Sequence, residues 1–442
     1  MRYPVLPMVL CMLAGVSAAQ ESQPISLAEA VRIATERHED VAKARAATDG
    51  LKGKIREVRA QALPEISIVS NANRLRDPGL LNSSSLDNFP AELRNALEPV
   101  PSNLFDYAIS VKQPLYTQGK VGTALRLASV ELEGSASEVD RAQQDVALNT
   151  VKAYYGLLWA ERYRDLVAET QSQKKAHAEM ARVRYQNGVA TEVDVLRSEV
   201  AVANGAPDLT RAENAIRQSR ALLNYYLGRQ LDSPTELAGD FEQKEWDQTN
   251  IGQMEQEALR RRPEIQRLRI AERSSATQLD LAKAESRMRA DFSGQYGVAS
   301  RLPSNLVSNK FIRWSMGVNF TLPVFDGFKR NGLVTQAVAN QRTARLEREK
   351  QEQLIRLSIQ QGYDDLTTAA EALDAARANV GQAEKVLDMT QSNYKYGAAT
   401  TLDVMDAQTA VSSARSNVLR GLYDFSLART NLRWAMGSTP WE

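Results

Sequence analysis

Two stretches decide the fold: Tyr185-Gln186-Asn187-Gly188-Val189-Ala190-Thr191-Glu192-Val193-Asp194-Val195 and Tyr394-Lys395-Tyr396-Gly397-Ala398-Ala399-Thr400-Thr401-Leu402-Asp403-Val404. Both read Y-x-x-G-x-A-T-x-x-D-V, and both run on without a gap to L-x-x-x-x-G, ending at Gly228 and Gly437. The offset is 209 residues throughout, and 12 of the 44 paired positions are identical. Each Gly interrupts a long helical pattern, so each copy reads as the tip of a helical hairpin. A repeat of this length means two similar structural units in one chain.

Outward from the first tip, Gly119 to Arg184 contains no Pro and is dominated by Ala, Glu, Leu and Arg. A helix of that length extends roughly 100 Å at 1.5 Å per residue, which points to a coiled coil rather than a globular core. The returning helix is expected over Thr191–Leu227, with a kink at Pro207. Around the second tip, Lys329–Tyr394 repeats the pattern. Its stripe of Ala369, Leu373, Ala376, Val380, Ala383 and Leu387 alternates steps of four and three, the 3.5-residue seam of a coiled coil. Val404, Val411, Val418, Leu422, Phe425 and Leu432 continue the seam on the partner helix.

Each unit begins with a shorter helical pattern and two strands. Leu27–Ala62 has a helical composition, with Ser26 and Glu29 at capping-box spacing, and Pro64 ends it. Ile66–Asn73 has a strand-like period, and Arg74–Asn103 is a long loop. In Asp106–Leu115, Tyr107, Ile109 and Val111 alternate with Asp106, Ala108, Ser110 and Lys112. Pro114 is expected to close that strand. In the second unit a helix is expected over Ile251–Arg289, with Pro263 in a first turn or at a kink. A strand follows through Phe292, Tyr296 and Val298, then a loop at Ser300–Lys310. The last strand carries Trp314, Met316, Val318, Phe320 and Leu322 on one parity and ends at Pro323. Arg229–Asn250 reads as a linker. The expected organisation is thus 20–228 and 251–437 as repeats, 229–250 between them, and 438–442 as a tail.

The four strands are close to the 9–11 residues that cross a bilayer when tilted, and aromatics lie on their apolar parity. Apolar-out, polar-in alternation is the pattern of outer-membrane barrels; the alternative is a half-buried sheet in a soluble protein. Four strands cannot close a barrel, so membrane strands would have to be pooled between chains, most simply by cyclic symmetry.

Composition narrows the classes. Lys and Arg number 55 and Asp and Glu 54, with no basic run, so nucleic acid is not indicated. Met1–Ala19 has the pattern of a secretory signal peptide, with an N-terminal membrane anchor as the alternative. Cys11 is the only cysteine and falls inside it, which removes disulfides and thiolate chemistry from the mature chain.

The chain resembles the TolC family of outer-membrane efflux proteins. The resemblance covers nearly the whole mature chain. It rests on the tandem order of helix, strand, loop, strand, long helix, Gly turn and helix. It also rests on Gln113-Pro114-Leu115-Tyr116 and Leu322-Pro323-Val324-Phe325-Asp326-Gly327 at the strand-to-helix corners, and on the two tips. The fold it implies is mainly helical with a transmembrane β-barrel part. A homotrimer pools twelve strands in outer-membrane lipid, and its helical hairpins form a periplasmic tunnel. The implied function is an exit duct of a tripartite efflux or type I secretion system in a Gram-negative outer membrane. Its implied partners are a periplasmic adaptor and an inner-membrane transporter of the RND or ABC type. No enzyme activity and no cofactor are expected.

Leu402-Asp403-Val404-Met405-Asp406 matches the family motif whose two aspartates line the closed periplasmic mouth. The resemblance therefore assigns the constriction to Asp403 and Asp406, with Asp194 and Tyr394 beside it. The alternative is that they are helix N-terminal acids held by the helix dipole. Gly188, Val189, Gly397 and Ala398 are the implied adaptor contacts. One position departs from the pattern. Some members carry an Arg two residues after the second tip Gly that latches the closed state; here it is Ala399. A Tyr394–Asp194 hydrogen bond is the latch that could remain.

His38 and His177, the two histidines, read as solvated surface rather than metal ligands. Asp364 and Asp365 lack the nucleophile or base that catalysis needs. The competing functions are a periplasmic adaptor, which would show one hairpin between β domains, and a soluble coiled-coil scaffold, which leaves the aromatic strands without a purpose. The cargo is not readable.

Overall fold

A computed structural model of the chain describes residues 24–75, 90, 92, 102–241 and 250–439. The signal-peptide reading, Cys11 and most of the 74–103 loop lie outside the described residues. The elements are α1 (Leu27–Arg37), α2 (Glu39–Ala60), β1 (Glu65–Leu75), β2 (Ser102–Tyr116), α3 (Lys120–Gln186) and α4 (Glu192–Tyr226), followed by α5 (Ile251–Arg261), α6 (Pro263–Ala284), β3 (Arg289–Ser300), β4 (Ile312–Thr321), α7 (Lys329–Lys395) and α8 (Thr401–Ala435). The two halves match in length: helices of 11, 22, 67 and 35 residues occur in each.

The 67-residue helices α3 and α7 are the rods of the molecule, each about 100 Å long. Toward the tips they pair with α4 and α8; toward the sheet α3 packs on α2 and α6, and α7 on α6. The expected seam is observed. Leu373 is buried and Ala369, Ala376, Val380, Ala383 and Leu387 are half-buried, while Glu371, Asp374 and Glu384 are exposed. Upstream it continues through the fully buried Ile355, Ile359 and Leu366.

Two expected helices are broken. Leu27–Ala62 divides at His38, whose extended backbone (ψ 138°) ends α1 and whose Nδ1 accepts the Asp40 N–H at 3.2 Å to cap α2. Ile251–Arg289 divides at Arg262, puts Pro263 at the first position of α6, and ends at Ala284. Both breaks fall at mid-length of the rods. The His38 ring stacks on Tyr226 at 5.5 Å and meets Tyr225 edge-on at 5.3 Å. The Arg262 guanidinium lies 4.3 Å over the Trp434 ring and bonds Glu264 at 2.8 Å. His38 is 2 % exposed, so it is core rather than solvated surface.

The main core sits at this waist. Leu157, Leu158, Leu223 and Leu227 are fully buried there with Val31. The segment read as a linker is stapled across it. Ile25 pairs with Leu237, Ile25 N–H donates to Glu236 O at 2.9 Å, and the Tyr154 hydroxyl donates to Ala238 O at 2.6 Å. Pro207 lies inside a continuous α4. In the turn it disturbs, Gln171 Nε2 donates to Val202 O at 2.9 Å.

The four strands form one antiparallel sheet in chain order, with β1 and β4 as its two edges. The register puts Ile68, Ile109, Tyr296 and Trp314 in one row across all four strands. β2 runs two residues past Pro114 through a register shift between Pro114 and Tyr116, so the proline sits at an irregularity rather than at the strand end. Pro323 follows the end of β4 as expected.

Candidate functional site

On the central strand β2 the burial is the reverse of that in a soluble protein. On β2 the polar-parity residues Asp106, Ala108 and Ser110 are buried, while Tyr107 and Ile109 are bare. The bare face continues across the sheet through Ile66, Ile68, Tyr296, Trp314, Met316 and Phe320, all exposed. The covered face is held by polar contacts: Asp106 Oδ2 accepts from Asn71 Nδ2 at 3.2 Å and from Arg313 Nη2 at 3.1 Å. In water a sheet turns its apolar face inward; here the apolar face needs an apolar solvent. Among the described residues no helix is long and apolar enough to cross a membrane.

At the opposite end are the two tips, built by the same chemistry. After α3, Gly188 takes φ +74°, a left-handed value that favours glycine, and the Val189 N–H closes back on Arg184 O at 2.9 Å. After α7, Gly397 takes φ +78° and Ala398 N–H closes on Asn393 O at 2.8 Å. These are helix C-caps of the Schellman kind. Three residues later the returning helix is capped. Thr191 and Asp194 form a capping box on α4, and Thr400 and Asp403 form one on α8. The repeated G-x-A-T-x-x-D is therefore a stop, a two-residue bridge and a start.

Asp403 Oδ2 accepts Thr400 N–H at 2.8 Å and the Thr400 hydroxyl at 2.7 Å. Asp194 Oδ2 accepts the same groups of Thr191 at 3.0 and 2.7 Å. These bonds, the hydroxyl first, hold both carboxyls below the ordinary aspartate range. Asp406 is one turn further along α8, exposed, and pairs with no group among the described residues. Asp403 is thus a helix-capping acid, and its side chain is exposed.

Tyr394 is 5 % exposed and sits where the two hairpins meet. Its hydroxyl lies 3.2 Å from Thr401 Oγ1 rather than on Asp194. Thr401 is also among the groups that lower the Asp194 pKa, after both Thr191 bonds, so it lies near both members of the pair that the sequence reading joined directly. Two α3 residues that the sequence did not single out for this site complete it. Arg184 Nη1 donates to Tyr394 O at 3.1 Å, with its guanidinium 4.4 Å from the Tyr394 ring centre. His177, 6 % exposed, stands 5.7 Å from the same ring, and burial pushes its pKa down. The tips themselves expose apolar groups, with Val189 62 % and Tyr396 90 % exposed.

The family model described as outer membrane efflux protein matches residues 30–229 and 255–438. The chain belongs to the outer membrane efflux protein family. It is 24% identical over 456 aligned positions to outer membrane protein TolC of Escherichia coli (strain K12), covering 98% of this chain and 86% of that one. It is 21% identical over 344 positions to the alkaline protease secretion protein AprF of Pseudomonas aeruginosa, covering 74% and 69%. Among solved structures, the CmeC outer membrane channel of Campylobacter jejuni has a TM-score of 0.78 at 17% identity, covering 93% of this chain and 85% of that one. VceC, an outer membrane protein of Vibrio cholerae, has a TM-score of 0.74 at 19% identity, covering 93% and 96%. This family member is an outer-membrane exit duct of an efflux or type I secretion system, extending into the periplasm. The adaptor and scaffold alternatives fall away.

Proposed function

We propose that three copies of the chain pool their sheets into a twelve-stranded barrel in outer-membrane lipid and their hairpins into one tunnel. The carrying observation is the sheet: its apolar face is bare and its edges β1 and β4 are unpaired within the chain. Four strands are about half the smallest closed barrel, and closing on further copies removes both edges at once. Each chain then contributes repeats 20–228 and 251–437 joined through 229–250, with Pro114 and Pro323 at the corners where strand gives way to helix. The duct is passive and carries out no chemistry. It works with a periplasmic adaptor and an inner-membrane transporter of the RND or ABC type, which supplies the energy. The exposed apolar tips around Gly188, Val189, Gly397 and Ala398 are the surface offered to the adaptor.

The periplasmic mouth is set by Asp403 and Asp406, with Asp194 and Tyr394 behind them. What supports this is their place on α8 beside the tip, the exposed carboxylates, and the bonds that keep Asp403 ionised. Three copies of each around one axis attract cations and resist anions. The experiment is planar-bilayer conductance of detergent-extracted protein, wild type beside Asp403→Ala/Asp406→Ala. The expected result is a small wild-type conductance that rises in the variant, with weaker block by multivalent cations. Unchanged values for both would remove the gate assignment, and well-folded protein that never inserts would remove the barrel.

A further inference from the structure

Where the sheet gives way to the rods, the two corners of the chain meet around a cavity of about 480 Å³. Pro114 and Lys120 line it from the first repeat; their equivalents Pro323 and Lys329, each 209 residues on, line it from the second. Residues of the α6–β3 connection form a third side. Pro114, Asp291 and Thr321 continue the parity of Ser110, Gln295 and Ser315. The cavity therefore opens on the polar face of the sheet, the face that lines the lumen in the proposed barrel.

The cavity is basic. Five of its lining residues are cations and three are acids, in a chain whose charges otherwise nearly balance. Two of the cations are neutralised in place: Lys120 pairs with Glu285 at 2.6 Å and Arg289 with Asp291 at 3.3 Å. Arg287 donates to the Gln118 carbonyl at 3.1 Å, which leaves its charge uncompensated. The third acid, Asp326, accepts the Arg330 backbone N–H at 3.0 Å. The side chains of Lys329 and Arg330 are exposed and make no ion pair among the described residues. The Ser286 hydroxyl oxygen, also on the lining, is buried without a hydrogen-bond partner. Like charges gathered on one cavity repel, and a buried hydroxyl without a partner costs stability; a bound anion relieves both. An ammonium and a guanidinium fork together suit the several oxygens of a phosphate or carboxylate.

We infer that the cavity binds the phosphate or carboxylate groups of soluble molecules moving through the duct, with Lys329 and Arg330 as the side chains that hold them. This gives part of the cargo a chemical class, and its place in the lumen rests on the proposed barrel. The cavity and the acidic mouth lie at opposite ends of rods about 100 Å long. The cavity thus acts on anions that an open mouth has already admitted.

The test is calorimetric titration of the full chain in detergent with pyrophosphate. The wild type is expected to bind it, with an affinity that falls as NaCl is raised. Lys329→Gln/Arg330→Gln is expected to bind roughly tenfold or more weakly, the loss of two charge-assisted contacts, at an unchanged thermal midpoint. Lys52→Gln/Lys175→Gln removes the same charge at two exposed positions elsewhere and should match wild type. In bilayers, on the Asp403→Ala/Asp406→Ala background, pyrophosphate should lower the current, and adding Lys329→Gln/Arg330→Gln should abolish that block. Equal binding by wild type and the Lys329/Arg330 variant, or binding by neither, overturns the inference. Binding without block of the current overturns the lumen placement, and displacement of pyrophosphate by phosphatidylglycerol in the micelle would then identify a lipid headgroup as the ligand. A wild type that binds through Lys329 and Arg330 but never forms channels overturns the barrel reading and leaves the anion site standing.

Discussion

Replacing Ile109 by Lys gives opposite signs for a sheet in water and a sheet in lipid. Ile109 is the eighth of the fifteen residues of β2, a central strand, and is 49 % exposed on the apolar face between Ile68 and Tyr296. At about 3.4 Å per residue β2 is roughly 50 Å long, and tilted by about 45° it spans roughly 35 Å. Its midpoint then lies near the bilayer midplane, where an outward Lys costs about 2–4 kcal/mol. Each copy of an assembly carries that cost, and the folding equilibrium into lipid falls by about thirty-fold or more per chain. On a water-facing surface the same change is worth within about 0.5 kcal/mol either way and improves solubility. The assay is urea-titrated folding into phospholipid vesicles, with Gln295→Lys, exposed on the opposite parity of β3, as the control expected to match wild type. An Ile109→Lys protein that folds into vesicles like wild type, or stays dispersed without detergent, refutes the lipid-facing assignment.

Three further outcomes follow from the geometry. Ile359, fully buried in the α7–α8 seam, should cost about 2–5 kcal/mol when cut to Ala, read by thermal or denaturant unfolding. Gly297 lies against the backbone of Tyr107 and Ala108, so Gly297→Val should disrupt β2–β3 pairing and abolish the folded, heat-modifiable species on gels. The capping boxes give a pH dependence with a definite sign. Asp194 and Asp403 have depressed pKa values in the folded chain, so their contribution is complete above the ordinary aspartate range and is lost as pH falls through the folded values. Amide exchange at the tips should therefore stay slow at neutral and mildly acidic pH and accelerate only in stronger acid. In Thr191→Val/Thr400→Val the tips should exchange faster already at neutral pH.

Much of this was legible because local rules and tertiary needs agree. The α7 seam, the strands and the tip turns follow from 3.5-residue and two-residue periods and from Gly at left-handed positions. What escaped the sequence was set by contacts across the chain. Nothing local marks His38 as a break, since neither Pro nor Gly is there; the break follows from a ring fitted between Tyr225 and Tyr226. Burial of His38 and His177 was missed for the same reason, because charged sequence neighbours say little about the opposite helix. The 229–241 segment looks like a linker by composition, yet its backbone pairs with Ile25. Arg184 was invisible as a site residue because its partners are the backbone and ring of a residue 210 positions away.

The tip motif is a folding device whose charge also bears on the proposed gate. Asp403 is kept in register by Thr400, and both bonds from Thr400 go to one oxygen, Oδ2. Two donors and the N-terminal end of α8 stabilise the ionised form, and the carboxyl lies below the ordinary aspartate range. Under the proposed gate, capping and guarding the mouth are the same chemistry seen from two sides. This explains why the motif can stand in both repeats while only the second carries the further acid. Asp194 caps its helix with the same geometry, but the residue three positions on is Arg197, whose positive charge adds a small part to the lowering of the Asp194 pKa. At Asp406 the second repeat adds a carboxylate with no partner among the described residues. Exchanging these two residues, Arg197→Asp with Asp406→Arg, leaves both caps untouched. If the charge pattern beyond the caps sets selectivity, the exchange moves the cation preference from the second tip to the first without changing helix stability. If the caps alone matter, the conductance stays as it was.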